Sequence, residues 1–376
     1  MPEVVHISVA HMPFDSRIFH RECKTLQQAG YRVSLMVPHE ADEEVEGVQI
    51  VALQGPNRGR LRFTQTVPEA YRRALEKPIG TLFHVHDPEL LPVAFALKRR
   101  GYAVIYDVHE ETPEWILHQH WIPALARKPL ARLYAWAERR ATQVLDGIIA
   151  ANPPTIRRLA SPRTIPLRNF PDHAYIRQAY QTPYAERPLQ IGYFGGLSMI
   201  RGVKELVEAL HILHQQLPEV RMLLGGVFFP PSLEEEMRKH PGWKAVDFKG
   251  WIPRAEVTAL MNKIRVGLVL FHPMGYHQMS FPNKLFEYMA AGIPMVASDI
   301  PLWRDIVARN RVGLMVNPHQ PEKIAEAVRW LLEHPVEAEA MGKRGRELVL
   351  EKYNWEHEAQ RLLALYARIL GQPTTV

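Results

Sequence analysis

Among its 376 residues the chain has one cysteine, Cys23, which excludes both a disulfide framework and a thiolate metal site. No apolar run approaches the length that spans a bilayer, and Met1 to Arg17 lack the long apolar stretch of a secretion signal. A cytoplasmic protein is therefore expected. There is also no block of one charge sign. The net charge of +6 is spread over both halves, so nucleic acid is not expected as a partner. The sequence pI near 9.3 instead favours anionic ligands or membrane surfaces. No internal repeat and no low-complexity tract is present. What remains is an ordinary globular composition, 47% hydrophobic and 23% charged, in a chain too long for one core. Two domains are expected.

Short apolar runs alternate with helical patterns along the whole chain. Residues 4–10 read as a buried first strand, 17–29 as a helix closed by Gly30, and 32–38 as the next strand. Further strands are predicted at 48–53, 81–87, 103–109, 147–151 and 164–168, with helices at 63–76, 90–100, 115–142 and 153–160. The proline-containing stretch 171–188 reads as a linker between domains at 1–180 and 186–355. The rhythm then restarts, with strands at 190–194, 220–224, 246–248, 266–271, 295–297 and 313–316, and a last helix at about 356–370. Strand alternating with helix predicts an α/β chain with doubly wound parallel sheets, which bind ligands at the carboxyl ends of their strands.

The most organised stretch runs from Ser280 to Gly292. Ser280 and Pro282 mark a helix start, Gly292 its stop, and Pro294 lies just beyond. A helix N-terminus directly after a strand presents free N–H groups that suit a phosphate. Asn283 and Glu287 are one turn apart and share a face, so both could meet one ligand; the alternative is that Glu287 pairs with Lys284 on a solvated surface. Upstream, Gly192-Tyr193-Phe194-Gly195-Gly196-Leu197 follows a strand and Arg201-Gly202 precedes a helix. That spacing matches neither the dinucleotide fingerprint nor the P-loop, and by itself Gly195-Gly196 is a tight turn. His84 and His86 alternate onto one side of a strand end, and with Asp87 and His109 they could imitate a metal cluster. Asp15 would cap the first helix, while Arg17 could reach a phosphate or an anionic acceptor.

The run Pro282-Asn283-Lys284-Leu285-Phe286-Glu287-Tyr288-Met289-Ala290-Ala291-Gly292 resembles the nucleotide-sugar motif of glycosyltransferase family 4, retaining enzymes of the GT-B fold. The resemblance implies two Rossmann-like doubly wound domains facing a cleft, with the last helix crossing back onto the first. It implies a hexosyl transfer from a UDP- or GDP-linked sugar to the hydroxyl of a glycan or lipid-linked acceptor, in polysaccharide or glycolipid synthesis, with no cofactor and no metal. Glu287 would hold the ribose, and His109 would contact the sugar. Ser280, Phe281, Asn283 and Lys284 would lie along the donor. Gly195, Gly196 and Arg201 would meet the diphosphate, and Gly226, Trp251 and Ile252 would cradle the base. Asp15, Arg17, His86 and Asp87 fall on the acceptor or phosphate side. Two departures stand out. Gly196 occupies the position of a family arginine, so either another cation, Lys284 or else Arg17, replaces it or the donor is held more loosely; and Met279 replaces a glutamate that touches the sugar, leaving the sugar unassigned. A sugar-nucleotide epimerase and a non-catalytic nucleotide-sugar-binding module are the rival readings.

Residues 115–140 interleave Trp115, Trp121, Leu125, Leu130, Leu133 and Trp136 with Arg127, Lys128, Arg132, Arg139 and Arg140. Such a mixture either packs its aromatics into a core or seats the protein peripherally on the inner, anionic membrane face. Pro123 and Pro129 predict short pieces and not one helix.

Overall fold

The computed structural model describes residues 3–57, 59–109, 111–119 and 121–373. The chain divides into one unit of Met1–Asn169 with Trp355–Val376 and a second of Phe170–Asn354.

In the first unit, β1 (Glu3–Ile7), β2 (Arg32–Pro38), β3 (Glu43–Val45), β4 (Val48–Leu53), β5 (Leu82–Val85), β6 (Ala103–Val108), β7 (Gly147–Ala150) and β8 (Thr164–Pro166) form a sheet. Their order is β3-β4-β2-β1-β5-β6-β7-β8, parallel except for the edge pair β3–β4. That edge strand, Glu43-Glu44-Val45, has no apolar run to announce it. Strand order reverses between β1 and β5, the point where such sheets open a binding crevice. Side chains alternate between faces: Val5, Ile7, Phe83, Val85 and Tyr106 enter one core. Val4, Leu82 and Ile105 enter the other, together with Trp355, Leu362 and Leu365 of the final helix Trp355–Leu370.

Two helices differ from expectation. Ile18–Cys23 is a π-helix, in which the Glu22 N–H reaches the Arg17 carbonyl five residues back at 2.9 Å; an α-helix Lys24–Gln28 follows. In this wider turn, Arg17, Arg21 and Glu22 are all buried. The 115–142 segment divides into Thr112–Leu117 and Ala124–Val144, and the longer helix runs straight through Pro129. Proline there removes one bond to the Leu125 carbonyl. Leu125 is 94% exposed, so water can take that bond's place.

The second unit stacks β9 (Gln190–Phe194), β10 (Arg221–Gly225), β11 (Val246–Gly250), β12 (Val266–Val269), β13 (Met295–Ser298) and β14 (Gly313–Val316) in the order β11-β10-β9-β12-β13-β14, all parallel. The switch point lies between β9 and β12. Apolar clusters cover both faces of the sheet. The expected linker 171–188 is part of this unit. It forms the helix His173–Ala179, whose N-cap Asp172 accepts from the Tyr175 N–H at 2.7 Å, and whose Ile176 and Ala179 join the core with Leu285 and Met289. Its prolines flank that helix and do not interrupt it. No described helix is long and apolar enough to cross a membrane.

Candidate functional site

At the switch point of the second unit, three strand ends lie side by side. The Gly195 N–H donates to the Gly225 carbonyl at 2.8 Å, and the Gly226 N–H donates to the Gly250 carbonyl at 2.6 Å. Gly226, at φ +147, approaches so closely that a Cβ would stand 1.9 Å from the Gly195 oxygen, which restricts the position to glycine. The Tyr193 hydroxyl holds the turn by donating to the Gly196 carbonyl at 2.9 Å.

Two cations converge on that turn. A Cβ added to Gly195 would lie 2.5 Å from Lys284 Nζ, and one on Gly196 would lie 2.6 Å from an Arg201 guanidinium nitrogen. Lys284 is buried, its ammonium 4.7 Å from the Tyr193 ring centre, and the Arg201 guanidinium lies 5.5 Å from the Phe271 ring centre. Neither cation forms a salt bridge among the described residues. Burial first, and then the Arg201 charge, lower the Lys284 pKa to about 7, against a smaller opposing pull from Glu287. The helix Asn283–Ala290 begins beside them with no side chain capping it. The alternative of a solvated Glu287–Lys284 pair does not hold, because Lys284 is buried. Glu287 is half-buried and Asn283 exposed one turn away.

The remaining predicted residues fall around this turn or beyond it. Ile252 packs on Gly225, where a Cβ would meet its Cδ1 at 2.1 Å. Trp251 is 71% exposed and fills no core. The Ser280 carbonyl accepts from Trp303 Nε1 at 2.8 Å, Phe281 stacks edgewise near Phe286, and Met279 closes the 3-10 turn Gly275–Met279.

In the first unit the strand ends of β1, β5 and β6 gather polar groups in an interior. His6 and His84 are register partners, and both are buried. His6 Nδ1 lies 2.8 Å from His86 Nε2, and the Tyr366 hydroxyl bridges His84 Nδ1 at 2.8 Å and His6 Nε2 at 3.3 Å. Burial lowers all three histidines, His86 to about 4, so they are neutral near pH 7. His109 Nε2 stands 3.0 Å from Asp107 Oδ2 and 3.2 Å from His86 Nδ1, and keeps partial exposure. Glu110, in the same motif, lies outside the described residues.

Arg17 overturns its expectation. Its Nε and one terminal nitrogen donate to the two Asp107 oxygens, each at 3.0 Å, and its other terminal nitrogen donates to the Leu167 carbonyl at 3.0 Å. Glu22 lies 2.9 Å from the same guanidinium. Burial and the neighbouring Asp107 push Glu22 well above the usual carboxylate range, while Arg17 and His109 hold Asp107 well below it in spite of burial. All three nitrogens of this buried guanidinium are thus engaged within the first unit. Asp15 caps the helix start, its Oδ1 accepting from the Arg17 and Ile18 N–H groups at 2.7 and 3.0 Å. Asp87 is likewise turned inward: it accepts from the Ser8 hydroxyl at 2.9 Å and from the Val9 N–H, and lies 3.0 Å from His11 Nδ1. Burial would raise Asp87, but His11 and the Val9 N–H bring it to about 2. His86 is enclosed by His6, His109 and Asp107. Thus Arg17 and His86 meet at Asp107, which also holds His109, while Asp87 is bound separately to Ser8, Val9 and His11.

No local signal in the sequence marks Asp107, Glu22, His11 or Tyr366 as partners in this network. The alternation that picked out His84 and His86 would also have flagged His6. The other partners are distant in the chain, and only strand order brings them together. His6, Glu22, His84 and His86 offer ligand atoms within 4.8 Å of one another, as do His86, Asp107 and His109. Most of the imidazole nitrogens are bonded to one another or to Tyr366, while His84 Nε2 makes no hydrogen bond among the described residues.

The helix Ala124–Val144 turns apolar groups outward. Leu125, Leu133 and Trp136 are 94%, 60% and 58% exposed, so they do not pack into the core of the first unit. Their spacing of eight and eleven residues aligns them on one stripe, which Lys128, Arg132 and Arg139 flank. Arg127 is not part of that surface, because its Nε donates to the Ile122 carbonyl at 2.9 Å.

Comparison with known proteins adds the following. A family model described as "Glycosyltransferase Family 4" matches residues 16–168, and one described as "Glycosyl transferases group 1" matches residues 177–348. Glycogen synthase of Mycobacterium tuberculosis is 24% identical over 354 residues, covering 87% of this chain and 81% of that protein. Sucrose-phosphate synthase from Thermosynechococcus elongatus superposes with a TM-score of 0.76 at 20% identity, over 99% of this chain and 100% of that one. Anabaena HepE, solved in complex with UDP-glucose, gives 0.71 at 14% identity over 97% and 99% of the two chains. Both structural likenesses bear on the GT-B fold.

Proposed function

We propose, from the premise that this chain belongs to glycosyltransferase family 4 and is a glycosyltransferase, that it moves a hexosyl unit from a uridine diphosphate sugar to an acceptor hydroxyl with retention. The observation that carries this reading is the convergence of Lys284 and Arg201 on the Gly195-Gly196 turn beside an uncapped helix N-terminus. Two cations without carboxylate partners, next to free N–H groups, suit a diphosphate. Lys284 takes the role of the cation missing at Gly196. Glu287 and Asn283, on the open side of the same helix, are assigned to the ribose, and Trp251 and Ile252 to the base.

In the transfer, the bond from the sugar anomeric carbon to the diphosphate oxygen breaks and a bond to the acceptor oxygen forms on the same face. The acceptor proton passes to the departing diphosphate. Lys284, Arg201 and the helix N-terminus stabilise the charge that collects there, so no protein nucleophile is required. His109, held by Asp107 and His86, is assigned to the sugar. The test is UDP release from UDP-glucose and other UDP-sugars in the presence of glycan acceptors, with a thermal-shift screen of the same donors. In a folded Glu287→Ala protein, UDP binding should weaken by one or two charge-assisted hydrogen bonds, about 1.5–3 kcal/mol each. Unchanged affinity would remove Glu287 from the ribose. Sugar interconversion without UDP release would favour an epimerase instead.

The outward stripe of Leu125, Leu133 and Trp136 flanked by basic residues favours a lipid-linked acceptor met at an anionic membrane surface. Co-sedimentation with anionic liposomes at low salt should be lost when Lys128, Arg132 and Arg139 become glutamine. Binding indifferent to that change would leave only a soluble acceptor.

A further inference from the structure

Beside the diphosphate turn, the second unit carries a group of ligand-type side chains that the transfer does not use. Glu205 lies in the first turn of the helix Val203–Gln216, which follows β9; His272 follows β12; His319 lies between β14 and the helix Pro321–Glu333. Each offers one ligand atom, and the three atoms lie within 4.8 Å of one another. His272 Nε2 stands 3.1 Å from Glu205 Oε1, and the two imidazole ring centres are 4.2 Å apart. His272 is only 9% exposed, yet its Nε2 makes no hydrogen bond, and neither does the buried Glu205 Oε2. Buried polar atoms nearly always have a partner; among the described residues His272 Nε2 has only the Glu205 Oε1 contact, and Glu205 Oε2 has none.

The backbone holds these side chains in place. The His272 N–H donates to the Ile200 carbonyl at 2.9 Å, and the His319 N–H donates to Asn317 Oδ1 at 3.0 Å. His319 is exposed, so the cluster can be reached from solvent, unlike the buried histidines of the first unit.

The geometry points to a divalent transition-metal site formed by Glu205, His272 and His319, with solvent completing the coordination. Two imidazoles and one carboxylate suit Zn2+, Co2+ or Ni2+, whereas Mg2+ and Ca2+ prefer oxygen ligands throughout. The ion ties together segments that follow three strands. Because His272 also holds Ile200, the ion braces the turn that presents Arg201. The site stands whether or not a nucleotide sugar binds nearby.

The test uses the full chain, stripped with a chelator and titrated with ZnCl2 by calorimetry, and with CoCl2 followed by visible absorption. Saturable binding of one ion per chain is expected, with a rise in Tm. Glu205→Gln and the exposed His319→Ala should each weaken binding by about tenfold or more, at least the loss seen for supporting residues of metal sites, and abolish the Tm rise. His118→Ala, an exposed histidine of the first unit, should change neither. Absence of saturable binding, or binding undiminished in both His319→Ala and Glu205→Gln, would overturn the assignment.

Discussion

The two units share a doubly wound plan and place polar chemistry at the same topological position, but they balance charge in opposite ways. In the first, every charge at the switch point is answered internally. Arg17 is matched by Asp107 and Glu22, Asp87 by His11 and backbone N–H groups, and the buried histidines are neutral. In the second, Lys284 and Arg201 approach one glycine turn with no carboxylate paired to them. A network with internal counter-charges serves to position groups, here His109 and His11. An open one destabilises the empty protein and is relieved by an external anion. Similar topology therefore does not assign similar work; the presence or absence of counter-charges does.

The largest effect expected from this contrast is on stability. Arg17→Ala leaves Asp107 and Glu22 buried without their cation and should cost about 3–5 kcal/mol in urea unfolding. Lys284→Met removes an unpaired buried charge and should leave the unliganded protein at least as stable near neutral pH. A similar loss in both variants would erase the distinction.

Ligand binding comes next. Lys284→Met and Arg201→Ala should each weaken UDP by about 1.5–3 kcal/mol, roughly 10- to 150-fold, through loss of a charge-assisted bond. Affinity for uridine should hardly change. Equal losses for both ligands would mean that the cations do not meet the diphosphate.

The pH dependence sharpens the same point. Lys284 sits at about 7 in the folded chain against its ordinary 10.5. Below pH 7 the folded state bears the full cost of charging it; between 7 and 10.5 that cost fades, and above 10.5 it is gone. Wild-type stability should therefore rise relative to Lys284→Met as pH climbs through that window. UDP should bind with proton uptake above pH 7, read as a buffer-dependent calorimetric enthalpy, and its affinity should fall as pH rises. Lys284→Met should abolish the uptake.

The smallest change concerns the closed network's exposed member. His109→Ala should lower turnover by up to about tenfold, one neutral hydrogen bond to the sugar, with UDP binding intact. Normal turnover would return His109 to a purely structural role.

By itself, the sequence determined the strands and the glycine turns, because period-two apolar runs and glycines before helices are local signals. β2, β4, β9 and β14 span the predicted residues without change, and the helix Asn283–Ala290 was legible from Pro282 at its start and Gly292 beyond its end, although no side chain caps it and a 3-10 turn separates it from β12. The tertiary structure decided which charges remain open. Arg17 and Lys284 are both basic residues near a helix start, equally plausible phosphate ligands on paper. Asp107, ninety residues beyond Arg17, meets it because β6 lies two strands from β1 in the sheet order. Among the described residues no carboxylate forms a salt bridge with Lys284, which feels only a smaller pull from Glu287. The pairing of 115–140 with core or solvent was undecidable for the same reason, since periodicity marks a stripe but not what covers it. Burial and counter-charge are properties of distant neighbours, and strand order sets those neighbours.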